Sequence, residues 1–492
     1  MKSIKHRRIY VIGAGFSGRG ISSEIASKGA FGEVVAFIDD DPGKIGGELD
    51  GIPVLGPISE IRGLLKKVPA DEAIIATPGA TQGDIRKIYC VLKKADFSHI
   101  RILPKLSQII DAPPHMVQTR EINPQDFLGR SPVAISLRES LSYLRGKRVL
   151  ISGAGGSIGG ELARQLLSGG AQRLYLFDHE ENSLYEIEKE LRILQNAGVG
   201  EAATIVPIVG ELKDCDYMDF IIRRLRADVI FHCAAYKHVP MLESNPVEAI
   251  KNNVFGTRNL VDAAVRYKVS RFVLISTDKA VNPSCVYGAS KMLAEEIVLH
   301  ASNHDTHFMV VRFGNVLDSR GSIVPLFRKQ IESSGPVTVT DPQASRFFMT
   351  LPESASLVLK AGGVGEGGTL YILDMGEPVI IKELAEQMIR FYGFTPDEDI
   401  TLSYVGLRPG EKLSERLWSQ DETPVKTPHP RINRLIREPR FNGELKKLMA
   451  ELTPICYSTA GREDEYRNRR LLRKYLQQLI PTIKVPENEP EF

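Results

Sequence analysis

Short apolar runs alternate with amphipathic stretches along most of this chain, and the alternation starts twice. The first pass reads RRIYVIG (7–13), then GAGFSG opening an apolar-periodic helix, then VVAFIDDDP (34–42). The second reads KRVLIS (147–152), then GAGGSIG and ELARQLL, then RLYLFD (173–178). In the second helix Ile158, Leu162 and Leu166 fall on one face, as packing on a sheet requires. Apolar strands alternating with helices predict parallel sheets covered on both sides. The expected class is therefore α/β, with two Rossmann-like doubly wound parallel-sheet units.

The first unit continues through DEAIIATPG (71–79) and IRILPKL (100–106). The second continues through TIVPIVG (204–210), DVIFHCAA (228–235) and RFVLIS (271–276). Residues 111–145 carry prolines and little periodicity, and read as a connector. After about residue 310 the alternation loosens. TVTDPQASRFFMT, TLYILDMGEP and VGLRPGEKLSERL read as a smaller α+β cap. The expected division is a nucleotide-binding unit over 1–110, a connector over 111–145, a second unit with its cap over 146–480, and a polar, Pro-rich tail over 481–492 that frays.

Composition narrows the classes without choosing one. The 492 residues are 42% hydrophobic and 25% charged, with a net charge of +2. That balance gives no push toward nucleic acid or an anionic membrane. Five scattered cysteines (90, 215, 233, 285 and 456) form no CxxC pair. They indicate a reducing compartment and no metal site. No apolar stretch is long enough to span a bilayer.

Both glycine loops follow a strand and open a helix, the context that gives such a motif its meaning. Gly13, Gly15 and Gly18 form GxGxxG; Gly153, Gly156 and Gly159 form GxxGxxG. Glycines let backbone N–H groups approach a pyrophosphate at a helix N-terminus. Ser157 and Ile158 lie within the second loop. Each loop is followed by an aspartate at the end of the next strand, Asp39 and Asp178. Such a carboxylate accepts hydrogen bonds from a ribose diol. With Glu180 and Glu181 beside Asp178, a 2′-phosphate is repelled, so NAD is expected over NADP. The first loop has nothing catalytic after it. Asp39, Asp40 and Asp41 are either a solvated turn or part of a second nucleotide site.

The segment ISTDKAVNPSCVYGASK (275–291) carries the acid/base groups. Thr277, Tyr287 and Lys291, the last two four apart, suit proton removal from a hydroxyl as hydride leaves for NAD. Asp278 and Lys279 have no task in that step.

These residues reach a family. GAGGSIG, HCAAYKHVPMLESNP (232–246), STDKAVNP (276–283), YGASK, RFGNVLDSRGSIVPLF (312–327) and GLRPGEKLSERL (406–417) resemble the extended short-chain dehydrogenase/reductases. More narrowly they resemble the UDP-N-acetylglucosamine 4,6-dehydratases of bacterial polysaccharide biosynthesis, the CapD-like group. The resemblance covers about 115–425, and more loosely the first unit. It implies a redox-neutral lyase. Tyr287 takes the sugar 4-OH proton as C4 gives hydride to NAD, Lys279 as a neutral amine removes the C5 proton, and Asp278 protonates the departing 6-OH. The hydride then returns to C6.

It also implies that Glu211, Ala234 and Asn253 belong to the cofactor pocket. Tyr236, Lys237 and His238 would line the sugar. Asn315, Arg320, Thr340, Arg346, Arg408 and Glu411 would hold the nucleotide diphosphate. A homo-oligomer is implied, with a cytoplasmic setting at the inner face of the bacterial membrane where relatives are anchored. Three departures stand out. The large branch carries membrane helices ahead of its first Rossmann unit, whereas this chain starts at that unit, either trimmed or naturally soluble. Many of its members have Met where this chain has Tyr287. VGELKD offers both Glu211 and Asp214 for the adenine side of the pocket. The rival readings are a UDP-sugar 4-epimerase, which needs Tyr and Lys only, and a non-catalytic NAD-sensing protein.

Overall fold

The computed structural model describes residues 7–28, 32–77, 80–97, 99–103, 120–121, 141–301, 305–438, 440–441, 443–483, 485–486 and 489. Most of the expected 111–145 connector lies outside the described residues. Contacts divide the chain into two compact units. One comprises 1–134 with 327–338 and 383–403; the other comprises 135–326, 339–382 and 404–492.

The first unit is built on β1 (Arg8–Ile12), β2 (Glu33–Ile38), β3 (Glu48–Leu49), β4 (Ile52–Leu55), β5 (Glu72–Ile75), β6 (His99–Ile102) and β7 (Arg120–Glu121). Their order is β3-β4-β2-β1-β5-β6-β7, antiparallel only at β3–β4 and β6–β7. β1 is central and almost wholly buried, as its apolar run predicts. A capping box closes the start of helix Gln82–Lys94, with Thr81 and Asp84 satisfying each other's backbone N–H groups. On that helix Tyr89 stacks on Phe391, centroids 4.3 Å apart, which ties the 383–403 segment to this unit.

The second unit is built on β8 (Arg148–Ser152), β9 (Arg173–Asp178), β10 (Thr204–Val209), β11 (Val229–His232), β12 (Arg271–Thr277), β13 (His307–Phe313) and the short β14 (Asn315–Val316). Its sheet runs β10-β9-β8-β11-β12-β13, then Thr369–Leu373, Ile432–Ile436 and Thr423–Lys426. The first seven of these strands are parallel, and the order reverses at β8. That reversal is the switch point where doubly wound sheets bind ligands at strand C-termini. Helix Ser157–Ser168 buries Leu162 and Leu166 on β8 and β9, with Ile158 packed beside them.

Two expectations change. TLYIL is a central-sheet strand and no part of a cap: Thr369–Leu373 pairs parallel with β13 and is buried along most of its length. An apolar run buried on both faces suits a parallel sheet, and periodicity alone does not distinguish it from a cap strand. The tail is also anchored. Ile483 is in the core, and the buried Glu489 carboxylate meets Arg469 at 2.7 Å and Arg473 at 2.6 Å. A single paired carboxylate offsets what a polar composition suggests.

Candidate active site

The cofactor cradle follows from steric need. Gly153 has φ +74°, and a Cβ there would sit 2.6 Å from the Ala234 nitrogen. A Cβ on Gly159 would sit 2.1 Å from the Gly153 carbonyl oxygen. Gly156 is the N-cap of helix Ser157–Ser168. Asp178 ends β9 and accepts the Gly155 N–H at 2.9 Å. A cleft opens here, lined by Asp178, Glu211, Ala234 and Tyr236 among others. Its glycine floor and the aspartate at its edge fit a dinucleotide.

The structure separates Glu211 from Asp214. Glu211 lines the cleft, whereas Asp214 caps helix Cys215–Leu225 by accepting from Tyr217 N–H at 2.9 Å. Asn253 is buried away from solvent. It accepts from Tyr236 N–H and donates to the Tyr236 carbonyl and to Ser290 Oγ, each at 2.9 Å. It holds the 236 loop to the catalytic helix, and its neighbour Asn252 lines the cleft.

β12 ends in Thr277, and the chain turns through a short 3-10 helix, Asp278–Ala280, before helix Val286–His300. Burial is high throughout: Asp278 is 0%, Lys291 4% and Tyr287 8% exposed. Glu243 accepts the Val286 N–H at 2.7 Å and pairs with Arg473 at 2.9 Å, fixing the helix start. Glu295 accepts from Ser276 Oγ at 2.6 Å and from the fully buried Arg312 at 2.7 Å, fixing the helix to β12 and β13. Removing one partner of such a buried pair strands a charge.

Thr277, Asp278 and Lys279 form one network. The Thr277 hydroxyl donates to Asp278 Oδ1 at 2.9 Å. Lys279 Nζ donates to the same oxygen at 3.0 Å and to Asn315 Oδ1 at 3.0 Å. Asp278 Oδ2 is buried with no hydrogen-bond partner. Tyr287 lies close enough to Thr277, Asp278 and Lys279 for all three to act on its phenol. Burial pushes the Tyr287 phenol up to about 12, and Lys279 is the cation that pulls against that rise. Lys291 donates to the Ile275 carbonyl at 2.7 Å, and burial brings its ammonium down to about 8. For Lys279 burial also lowers proton affinity, but Asp278, Glu415 and Tyr287 outweigh it, and the ammonium ends above the usual lysine value. In the free protein Lys279 is thus held as an ammonium beside Asp278.

Burial lowers Lys237 and His238, helped by Lys279 for the first and by Lys237 and Arg408 for the second. The residues expected at the diphosphate have separate neighbours. Asn315 holds Lys279. Arg320 reaches over the glycine loop, donating to the Gly155 carbonyl at 3.3 Å and pairing with Glu186 at 2.8 Å, so the structure places it at the cofactor cleft. Arg346 donates to the Lys412 and Leu413 carbonyls at 2.7 and 3.0 Å, fastening the 406–417 loop. Arg408 pairs with Glu411 at 2.6 Å. Thr340 is half-buried beyond strand Val337–Val339. Glu415 is the group the sequence reading missed. It is buried in the RPGEKLSE string, paired with Lys412 at 3.4 Å, and its charge acts on Lys279.

The first unit repeats the cradle. Gly13 has φ +107°, a Cβ on Gly18 would lie 2.0 Å from the Gly13 oxygen, and Asp39 accepts the Ala14 N–H at 2.8 Å. Nothing lies within 4 Å of a Cβ on Gly15. Lys44 pairs with Asp39 at 3.1 Å. Asp41 closes a turn by accepting from Gly43 N–H, and Asp40 accepts from Ile58 N–H.

The sequence profile of the family described as "Polysaccharide biosynthesis protein" matches residues 149–437. A probable polysaccharide biosynthesis protein of Bacillus subtilis, EpsC, is 40% identical over 87% of this chain and 71% of its own length. A UDP-N-acetylglucosamine 4,6-dehydratase (inverting) of Campylobacter jejuni is 32% identical over 56% of this chain and 79% of its own. A UDP-glucose 4-epimerase of Rickettsia felis matches at the same 32%, 56% and 79%. Among the described residues no helix is long and apolar enough to cross a membrane.

Proposed function

Because the chain belongs to the polysaccharide biosynthesis protein family, we propose that it is an NAD-dependent nucleotide-sugar 4,6-dehydratase. Its substrate is UDP-N-acetylglucosamine or a close UDP-N-acetylhexosamine. One observation carries the choice over the epimerase: a buried carboxylate in contact at 3.0 Å with a partly buried amine, beside Thr277 and Tyr287. An epimerase would leave that pair without a chemical task.

NAD bound in the cleft would accept hydride from C4 and return it to C6. Every proton falls to the protein. Tyr287, as phenolate, takes the 4-OH proton. The 4-ketone acidifies the hydrogen on C5. Lys279, as amine, removes it, and Asp278, as acid, protonates the 6-hydroxyl, which leaves as water. Lys279 returns its proton to C5 as C6 becomes a methyl. The amine and acid are one proton transfer away from the resting ion pair, across the same 3.0 Å contact. Two groups of opposed proton affinity in one site are how acid and base roles divide.

Purified protein with NAD and UDP-N-acetylglucosamine tests the reading by mass spectrometry and proton NMR. Loss of one water with a new C6 methyl signal is expected. An unchanged mass with inverted C4 would make it an epimerase. Bound NAD with unaltered sugar would make it a sensor.

A further inference from the structure

The base assigned to C5 is a part-exposed lysine on a flexible four-carbon stem, so its nitrogen needs fixing in place. Two acceptors hold it, Asp278 Oδ1 at 3.0 Å and Asn315 Oδ1 at 3.0 Å. The reaction treats them differently. Asp278 must take a proton and pass it to the departing 6-hydroxyl, so its hold on Lys279 changes within each turnover. The Asn315 amide does not titrate. Lys279 has N–H groups to donate as ammonium or as amine, and the amide oxygen accepts from both. Asn315 is itself anchored. It opens β14, which pairs with Phe348–Met349, and its N–H donates to the Phe347 carbonyl at 2.9 Å. Gly314 lets this strand come close, since a Cβ there would lie 3.0 Å from Phe347 Cβ and 3.2 Å from Asp278 Oδ2.

We propose that Asn315 is a neutral positioning residue, which keeps the Lys279 nitrogen in place for C5 while Asp278 serves the 6-hydroxyl. A carboxylate at 315 would have the same reach, but its charge would hold the ammonium and oppose the amine that the reaction needs. The charged and titratable groups facing Lys279 are Asp278 on the same turn, Cys285 and Tyr287 at the catalytic helix, Glu415 from the 406–417 loop, and Lys237. Asn315 adds a hydrogen bond to this set without adding charge. The inference rests on the dehydratase reading.

The test compares wild type with Asn315→Ala and Asn315→Asp, each saturated with NAD and mixed with UDP-N-acetylglucosamine. Steady-state product and the first-turnover absorbance of reduced cofactor are followed together. In Asn315→Ala kcat should fall about 10²-fold, the cost of a reacting group misplaced by about 1 Å. KM and NAD affinity should be unchanged. Hydride transfer from C4 does not use Lys279, so reduced cofactor should accumulate in the first turnover beyond the wild-type level. Asn315→Asp should also lose kcat, although it keeps an acceptor. Asn315→Leu serves if the alanine variant does not fold. Full kcat in either the alanine or the aspartate variant would overturn the proposal. A raised KM with kcat kept would also overturn it, and would return Asn315 to the diphosphate. Equal slowing of cofactor reduction and water loss would overturn it too, as the mark of a structural defect. Absence of product from the wild-type protein would instead remove the dehydratase reading.

Discussion

The chain contains two glycine cradles with nearly the same geometry and very different surroundings. In both, the third glycine presses on the first: a Cβ would lie 2.0 Å from the Gly13 oxygen on Gly18, and 2.1 Å from the Gly153 oxygen on Gly159. In both, an aspartate at a strand end accepts a loop N–H, at 2.8 Å for Asp39 and 2.9 Å for Asp178. Behind the second cradle β12 delivers Thr277, Asp278 and Lys279, and the next helix delivers Tyr287 and Lys291. Behind the first, β5 ends at Ile75 and runs on into Ala76 and Thr77, with no acid/base set there among the described residues. Asp39 is moreover compensated by Lys44 at 3.1 Å. A cradle is a requirement of backbone packing against a phosphate, and it recurs wherever a strand must turn tightly into a helix. Chemistry is a separate addition.

The largest expected effect falls on the part that only the second unit has. Lys279→Met should bind NAD and UDP-N-acetylglucosamine and form no product, a loss of at least about 10³-fold set by the missing base. Calorimetric titration of both ligands beside a product assay checks it. Turnover near wild type would remove Lys279 as the C5 base. Next comes the direct comparison of cradles. Gly18→Ala and Gly159→Ala place a methyl about equally close to backbone oxygen. Gly159→Ala should weaken NAD binding by at least about tenfold, a cost of roughly 1.4 kcal/mol. Gly18→Ala should leave turnover within about twofold. Equal losses of turnover in the two variants would mean that both cradles serve the reaction.

The cradles and the catalytic segment were legible because each is local. A glycine loop, a strand end and a Tyr–Lys pair one helical turn apart are written in consecutive residues. The partners that set their chemistry are distant in sequence. Asn315 reaches Lys279 across 36 residues, and Glu295 joins Arg312 across 17. Glu415 acts on Lys279 from a loop that the resemblance marks only for Arg408 and Glu411. Asn253 and Arg346 show the converse: each carries the right residue type for a ligand, and each is engaged with the chain itself. TLYIL was misplaced because a buried strand carries no mark of the sheet it joins.

A third prediction concerns polarity beneath the cradles. In the second unit His232 lies fully buried between Ser152 Oγ at 2.7 Å and Thr257 Oγ1 at 2.9 Å, and burial lowers its imidazole to about 3. The corresponding strand ends of the first unit are Ile12 and Ile75. The folded pKa is below the unfolded value of about 6.5. The unfolded chain therefore gains a proton that the folded chain refuses, and stability falls as pH drops from about 6.5 toward 3. At pH 5 the loss from this group is about 2 kcal/mol relative to pH 7.5. His232→Asn should lack that increment in the denaturant unfolding of the catalytic unit. Parallel pH dependences in variant and wild type would place the acid sensitivity elsewhere.

The smallest effects should be those in which the two units do not differ. Asp214 caps helix Cys215–Leu225, and Thr81 caps Gln82–Lys94. Replacing either by Ala exposes helix N–H groups and costs about 1 kcal/mol. Neither change should alter NAD affinity, because Asp214 is committed to its helix while Glu211 lines the cleft. Glu211→Gln supplies the contrast, with stability unchanged and NAD affinity reduced severalfold. NAD titration of Asp214→Ala and Glu211→Gln side by side decides which carboxylate of VGELKD meets the cofactor. A loss of affinity confined to Asp214→Ala would reverse the assignment, and would show that a capping residue can be drawn from its helix by the ligand.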